Sequence, residues 1–160
     1  MAANSGVYNL VRSSVVTSTA ITVTVVWVPV TTAIETTRAW CNQSTITTSA
    51  QTRIQLLRKT GTAPTVTSQT PAVVGTPGTP ASKCVGGTAA TGITATAEGT
   101  DGTVYVEEGF NIVNGWLYLP VPEERIMILG STASGIALKF PTAPTSASYI
   151  NGQEWIEYAG

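Results

Sequence analysis

The sequence predicts an all-β domain, either an antiparallel β-sandwich or a jelly-roll-like barrel, and three observations carry that expectation. Threonine makes up about a sixth of the 160 residues, and its β-branched side chain suits a pleated strand better than a helix interior. Fifteen Gly and 9 Pro punctuate short runs of Val, Ile and Thr at close spacing. Helix formers are scarce, and no ladder of opposite charges four residues apart runs for any length. One domain accommodates residues 1–160, and no fixed period points to a solenoid or propeller.

The elements follow in chain order. Ile21 to Val28 reads as a strand with Ile21, Val23, Val25 and Trp27 on one face and Thr22 and Thr24 on the other; Pro29 ends it. Thr45 to Leu57 is a second strand region, closing in the run Arg53 to Arg58. Residues 61–102 are rich in Thr, Pro, Gly, Ala and Ser and poor in large side chains, with breakers at Pro77-Gly78 and Gly86-Gly87. This segment is expected to be an extended loop, or an arm ordered by lying on a neighbouring subunit. Thr103 to Val106 and Phe110 to Val113 follow as short strands, and Asn114-Gly115 suggests a hairpin turn into Trp116 to Leu119. Arg125 to Leu129 and Gly135 to Phe140 are two more. Asn151-Gly152 supplies the positive φ angles of a type I′ turn, so Ser146 to Ile150 and Gln153 to Tyr158 are expected to form a hairpin with Ile156 opposite Ala147. Strands of this number, about seven or eight, suit a two-sheet sandwich.

Composition excludes several function classes. Hydrophobic residues are 42% and charged residues only 11%, with a net charge of −1. No basic field attracts nucleic acid. Ile21 to Val30 is too short to span a bilayer, and residues 1–6 lack the basic flank and apolar run of a signal peptide, so the chain is expected to be made in the cytoplasm, without membrane partners. Surfaces so poor in charge suit broad contact with other proteins.

Histidine is absent, which removes the commonest general base and metal ligand. Asp101, before Gly102, reads as a turn residue. Glu107-Glu108 and Glu123-Glu124 point to opposite sides if they lie on strands, which does not build a carboxylate cleft. Gly86-Gly87-Thr88 lacks the Lys of a phosphate loop. Asn42-Gln43-Ser44 fits a glycosylation sequon without a secretory context. The expectation is a protein that is not an enzyme and has no cofactor, metal or catalytic residue. Cys41 and Cys84 alone cannot make a usual zinc site; they are free thiols, an intrachain disulfide or an interchain disulfide, and Cys84 is expected to be accessible on the arm. The four tryptophans, Trp27, Trp40, Trp116 and Trp155, read as core or as a sugar-binding platform.

Three segments, Gly109 to Arg125, Gly152 to Gly160 and Leu56 to Gly61, together resemble a pattern in small virion proteins of tailed bacteriophages. The resemblance covers about half the chain and implies a capsid decoration (cement or auxiliary head) protein. Such proteins are β-rich, are added to the outside of the shell in many copies, and bridge major capsid protein subunits. A homo-oligomer, most often a trimer, is implied as well, assembled in the host cytoplasm and carried on the virion exterior. Candidate assembly contacts are the arm around Cys84 and the chain ends near Tyr8 and Tyr158. The alternatives are a phage tail or head-fibre component that binds a host surface, and a carbohydrate-binding β-sandwich module using Trp116 or Trp155.

Overall fold

Side chains alternate between interior and surface over residues 32–37, as a half-buried strand requires, whereas residues 22–26 and 134–138 are buried on both faces. The computed structural model describes residues 5–45, 49–85 and 91–159. Along them run β1 (Ser5–Thr17), β2 (Ile21–Trp27), β3 (Thr32–Thr45), β4 (Gln51–Thr60), β5 (Thr65–Ser68) and β6 (Ala72–Val74). Then come β7 (Gly92–Ala97), β8 (Thr100–Asn111), β9 (Trp116–Tyr118), β10 (Met127–Leu129), β11 (Ser134–Phe140) and β12 (Ala147–Ala159). The only helical element among the described residues is a short 3-10 turn, Pro122–Glu124.

The strands form two antiparallel six-stranded sheets, packed face to face as a β-sandwich. In the first the order is β10-β3-β12-β1-β6, with β9 also paired to β3. The second runs β5-β7-β2-β11-β4-β8. Val26, Val28, Ile54, Leu56, Ile136, Leu138 and Phe140 of the second sheet meet Tyr8, Leu10, Ile34, Ala39, Cys41, Tyr149 and Trp155 of the first. Phe140 and Tyr149 touch across the gap with ring centroids 5.1 Å apart, an arrangement aromatic pairs favour.

Several local expectations are corrected. The described residues of 61–102 are not an extended loop or arm throughout. They supply β5 and β7, which extend the second sheet from β2, and β6, which adds to the edge of β1. β5 and β6 are edge strands, where short Thr- and Ala-containing stretches are acceptable because an edge buries only part of each residue. Gly86-Gly87-Thr88 and residues 46–48 lie outside the described residues. Asn114-Gly115 does not turn a hairpin: it carries the chain from β8 in the second sheet to β9 in the first, with Gly115 at φ 72°.

Asn151-Gly152 is not a turn either, since β12 runs straight through it, paired with β1 on one side and β3 on the other. The glycine is needed for space. A Cβ at position 152 would lie 2.1 Å from Cζ2 of Trp40, whose ring lies on the strand there.

Candidate functional site

The outer rim of the first sheet is built from two three-residue strands on one edge of β3. Trp116–Tyr118 pairs with Ala39–Cys41, and Met127–Leu129 pairs with Ala33–Glu35. Pro120 and Pro122 cannot donate ladder hydrogen bonds, so the rim is interrupted between them and carries the 3-10 turn. Period-two alternation sends Trp116 and Ile128 into the core and Leu117, Met127 and Leu129 outward. Leu119 and Leu129 are 67% and 66% exposed, and Leu117, Val121, Met127 and nearby Val30 are all more than half exposed. A groove of about 460 Å³ opens between Val30, Ala33, Leu129 and Tyr158.

One ion pair beside this rim is closed within the chain. Arg125 Nη1 lies 3.0 Å from Glu35 Oε1, and Tyr158 donates its hydroxyl proton to Glu35 Oε2 at 2.6 Å. The Tyr158 hydrogen bond, aided by Arg125, holds the Glu35 carboxyl below the usual carboxylate range, and the same bond raises the Tyr158 phenol. Glu123 and Glu124 are exposed on the 3-10 turn, not on a strand.

Of the residues singled out as assembly contacts, only Tyr158 reaches this surface. Tyr8 is 1% exposed, lies 6.2 Å from the Trp155 ring and donates to the Pro80 carbonyl at 2.8 Å. Cys84 is buried rather than accessible. The carboxylate of Glu157 accepts from Ser82 Oγ at 2.7 Å and from Lys83 N at 2.6 Å, which draws residues 82–84 inward.

Both thiols are free. Cys41 sits opposite Asn151 of β12 and Cys84 at Glu157. Six residues of strand separate those points by about 20 Å, whereas a disulfide needs Cα atoms within roughly 7 Å. Burial pushes the Cys41 thiol up to about 12, against the opposing hydrogen bond from Asn151, and burial beside Glu157 raises Cys84 as well. Neither is a thiolate near neutral pH, so neither is a ready nucleophile.

Trp116 and Trp155 belong to the core. Trp155 is buried; Trp116 is buried and donates its indole proton to Glu108 Oε2 at 2.7 Å. Trp40 lies between Gly152 and the Arg38 guanidinium, whose carbon is 4.6 Å from the ring centroid. Glu107 bonds Gln55 and pairs with Arg53, on the other side of β8 from Glu108.

A second concentration of chemistry lies outside the core of the second sheet, and the sequence reading missed it. Asp101 is not in a turn. It lies within β8 directly opposite Lys59 of β4. Lys59, which reads as a strand-end residue, has a side chain 0% exposed, in contact with Asp101 Oδ1. Lys139 Nζ is 2.6 Å from Asp101 Oδ2 and 3.4 Å from Glu98 Oε2. Burial would raise both carboxyls, but hydrogen bonds from Thr22 to Glu98, and from both lysines to Asp101, bring them below their ordinary values. No spacing motif announces this cluster, because its members come from β2, β4, β8, β11 and the turn before β8.

Among the described residues no group of three or more His, Cys, Asp and Glu is placed to hold a metal ion. No protein-family profile, curated protein or solved structure matches this chain.

Proposed function

We propose that this chain is a structural virion protein that decorates a bacteriophage capsid, binding major capsid protein subunits and its own copies by surface contact alone. The observation that carries the proposal is the apolar rim of the first sheet. Monomeric proteins seldom leave contiguous apolar surface beyond a few hundred Å² uncovered, and larger patches mark interaction sites. Here Leu117, Leu119, Val121, Met127 and Leu129 come from one short stretch of chain, more than half exposed, beside an ion pair already neutralised internally. Short edge strands also offer backbone groups to a neighbour's sheet. Many copies on a shell turn a weak single contact into a firm one.

The test is the copy number of this chain in purified virions, by quantitative mass spectrometry against the major capsid protein. A ratio from one-to-one to one-to-a-few supports decoration. A handful of copies per particle would assign the chain to a tail or head fibre, and absence from virions would end the virion reading.

A further inference from the structure

Lys59 is an unusual place to keep a charge. Its side chain is 0% exposed, and a buried ammonium is retained only with close partners. Nζ donates to the Glu98 backbone carbonyl at 2.7 Å, touches Asp101 Oδ1, and lies 3.5 Å from Glu98 Oε2. The amine is thus held against one carboxyl with a second carboxylate within reach. Glu98 is itself fixed, accepting from Thr22 N at 2.9 Å and from Thr22 Oγ1 at 2.6 Å. On the far side of the Asp101 carboxyl, Lys139 donates to Oδ2 at 2.6 Å.

A nucleophile, an electrophilic carboxyl, a proton acceptor and a cation at the remaining carboxyl oxygen are therefore assembled in one place. We propose that Lys59 and Asp101 are joined by an intramolecular amide bond, formed by the folded chain itself with Glu98 as proton carrier and Lys139 as the electrophile that stabilises the oxyanion. Glu98 takes a proton from the Lys59 ammonium, and the freed amine attacks Cγ of Asp101. The Nζ–Cγ bond forms while Lys139 holds the negative charge that gathers on Oδ2. The Cγ–Oδ1 bond then breaks. Oδ1 leaves as water, carrying the proton from Glu98 and a second one from the nitrogen. An ammonium and a carboxylate become an amide and one water, so the step balances without oxidant, reductant or cofactor.

Condensation is unfavourable between free groups in water, but well-oriented partners reach effective molarities on the order of 10⁵ M or more. Thr22 is a positioning residue, acting only through Glu98. Asp101 is held ionised near neutral pH, and a carboxylate is a weaker electrophile than a carboxylic acid. Conversion is therefore slow after folding. The bond lies where β4 ends and β8 begins, next to the Thr60–Thr100 pair. It would close the base of the excursion that contains β5, β6 and β7, independently of what the rim binds.

The experiment is the intact mass of the full chain, purified folded and then denatured, after prolonged incubation near neutral pH. The expected result is a species one water lighter than the sequence mass. Because Asp101-Gly102 could also lose water as a succinimide, digestion must show a peptide from around Lys59 joined to one from around Asp101 and stable to mild alkali. Glu98→Gln should slow the conversion at least tenfold, and Lys59→Arg and Asp101→Ala should abolish it. A folded wild-type chain that keeps its full mass overturns the proposal. So does a water loss that alkali reverses, or one that survives Lys59→Arg.

Discussion

The inner face of the first sheet and its outer rim invert the usual distribution of side chains. Arg12, Asn151, Gln153 and Glu157 are all 2% exposed or less, while Leu117, Leu119, Met127 and Leu129 face solvent. Each of these four buried polar residues makes at least one hydrogen bond within the chain. Arg12 donates to Thr94 Oγ1 at 2.8 Å, Asn151 Oδ1 at 3.1 Å and Thr17 Oγ1 at 2.9 Å, and Gln153 reaches Thr24 Oγ1 at 2.7 Å. The exposed apolar groups have no such internal account. Buried polarity here serves the fold, and exposed apolarity serves something outside it. Substitutions in the two regions should therefore separate into those that change stability and those that change association.

The largest stability effect is expected at Arg12. Among the described residues no carboxylate pairs with it, and burial lowers its pKa from the ordinary guanidinium value. Arg12→Ala would leave Asn151, Thr94 and Thr17 without their donor and open a cavity, at a cost of about 3–5 kcal/mol. Urea denaturation measures this. A loss below about 1 kcal/mol would mean that the buried network is dispensable, and the contrast between face and rim would fail.

Next comes Glu157. Glu157→Ala removes the acceptor that draws Ser82 and Lys83 inward, costing about 1–3 kcal/mol, and should open residues 80–85 locally before the sandwich unfolds. Iodoacetamide labelling read by mass gives a sharper result than stability alone. In the wild type both thiols should react slowly until denaturant is added. In the variant Cys84 should react faster and Cys41 should not. Equal acceleration at both would show global loosening instead of a local latch.

Acid should act through a different set of groups. Glu35, Glu98 and Asp101 have depressed folded-state pKa values, so their contribution is complete above the unfolded values, about 4, and is lost as pH falls through the folded ones. The denaturation midpoint should decline from about pH 4 downward, and Glu35→Gln should remove part of the slope. Tyr158 runs the other way: its raised pKa makes a contribution that is whole below about pH 10 and lost as pH rises beyond it. A midpoint flat between neutrality and pH 3 would show that these pairs are too screened to matter.

Some of this was legible from residues alone and some was not, for reasons particular residues make plain. Ile21–Trp27 and Ser134–Phe140 are visible because they are dense in apolar residues, although Thr22, Thr24 and Ser134 are fully buried as well. The two longest elements of the first sheet beside β12 are obscured because Arg12 in β1, and Thr32 and Thr36 in β3, occupy buried positions that a hydrophobic pattern cannot flag. Asn151-Gly152 reads as a turn because turn chemistry is local. The Trp40 ring that demands the glycine arrives from a distant strand. Leu117, Leu119 and Val121 lie in a stretch that carries the resemblance to virion proteins, yet the exposure of the rim depends on the pairing of β9 and β10 with β3. Lys59 and Asp101 show nothing in sequence, because only the β4–β8 register brings them together.

The smallest stability effect is expected at the rim, and it tests the comparison most directly. Leu117→Ser with Leu129→Ser removes side chains already more than half exposed, so stability should change by no more than about 0.5 kcal/mol per site. Both residues point away from the core, and neither hydroxyl would be buried without a partner. If the rim is the contact with the shell, the same variant should lose most of its occupancy on capsids, because each copy forfeits apolar burial of about 25 cal/mol per Å² and a multivalent lattice amplifies a small loss per contact. Tyr158→Phe, which keeps the ring lining the groove and removes only the bond to Glu35, should retain occupancy. A serine variant as stable as the wild type and equally abundant on capsids would separate apolar exposure from binding, and the contact would have to be sought on another face.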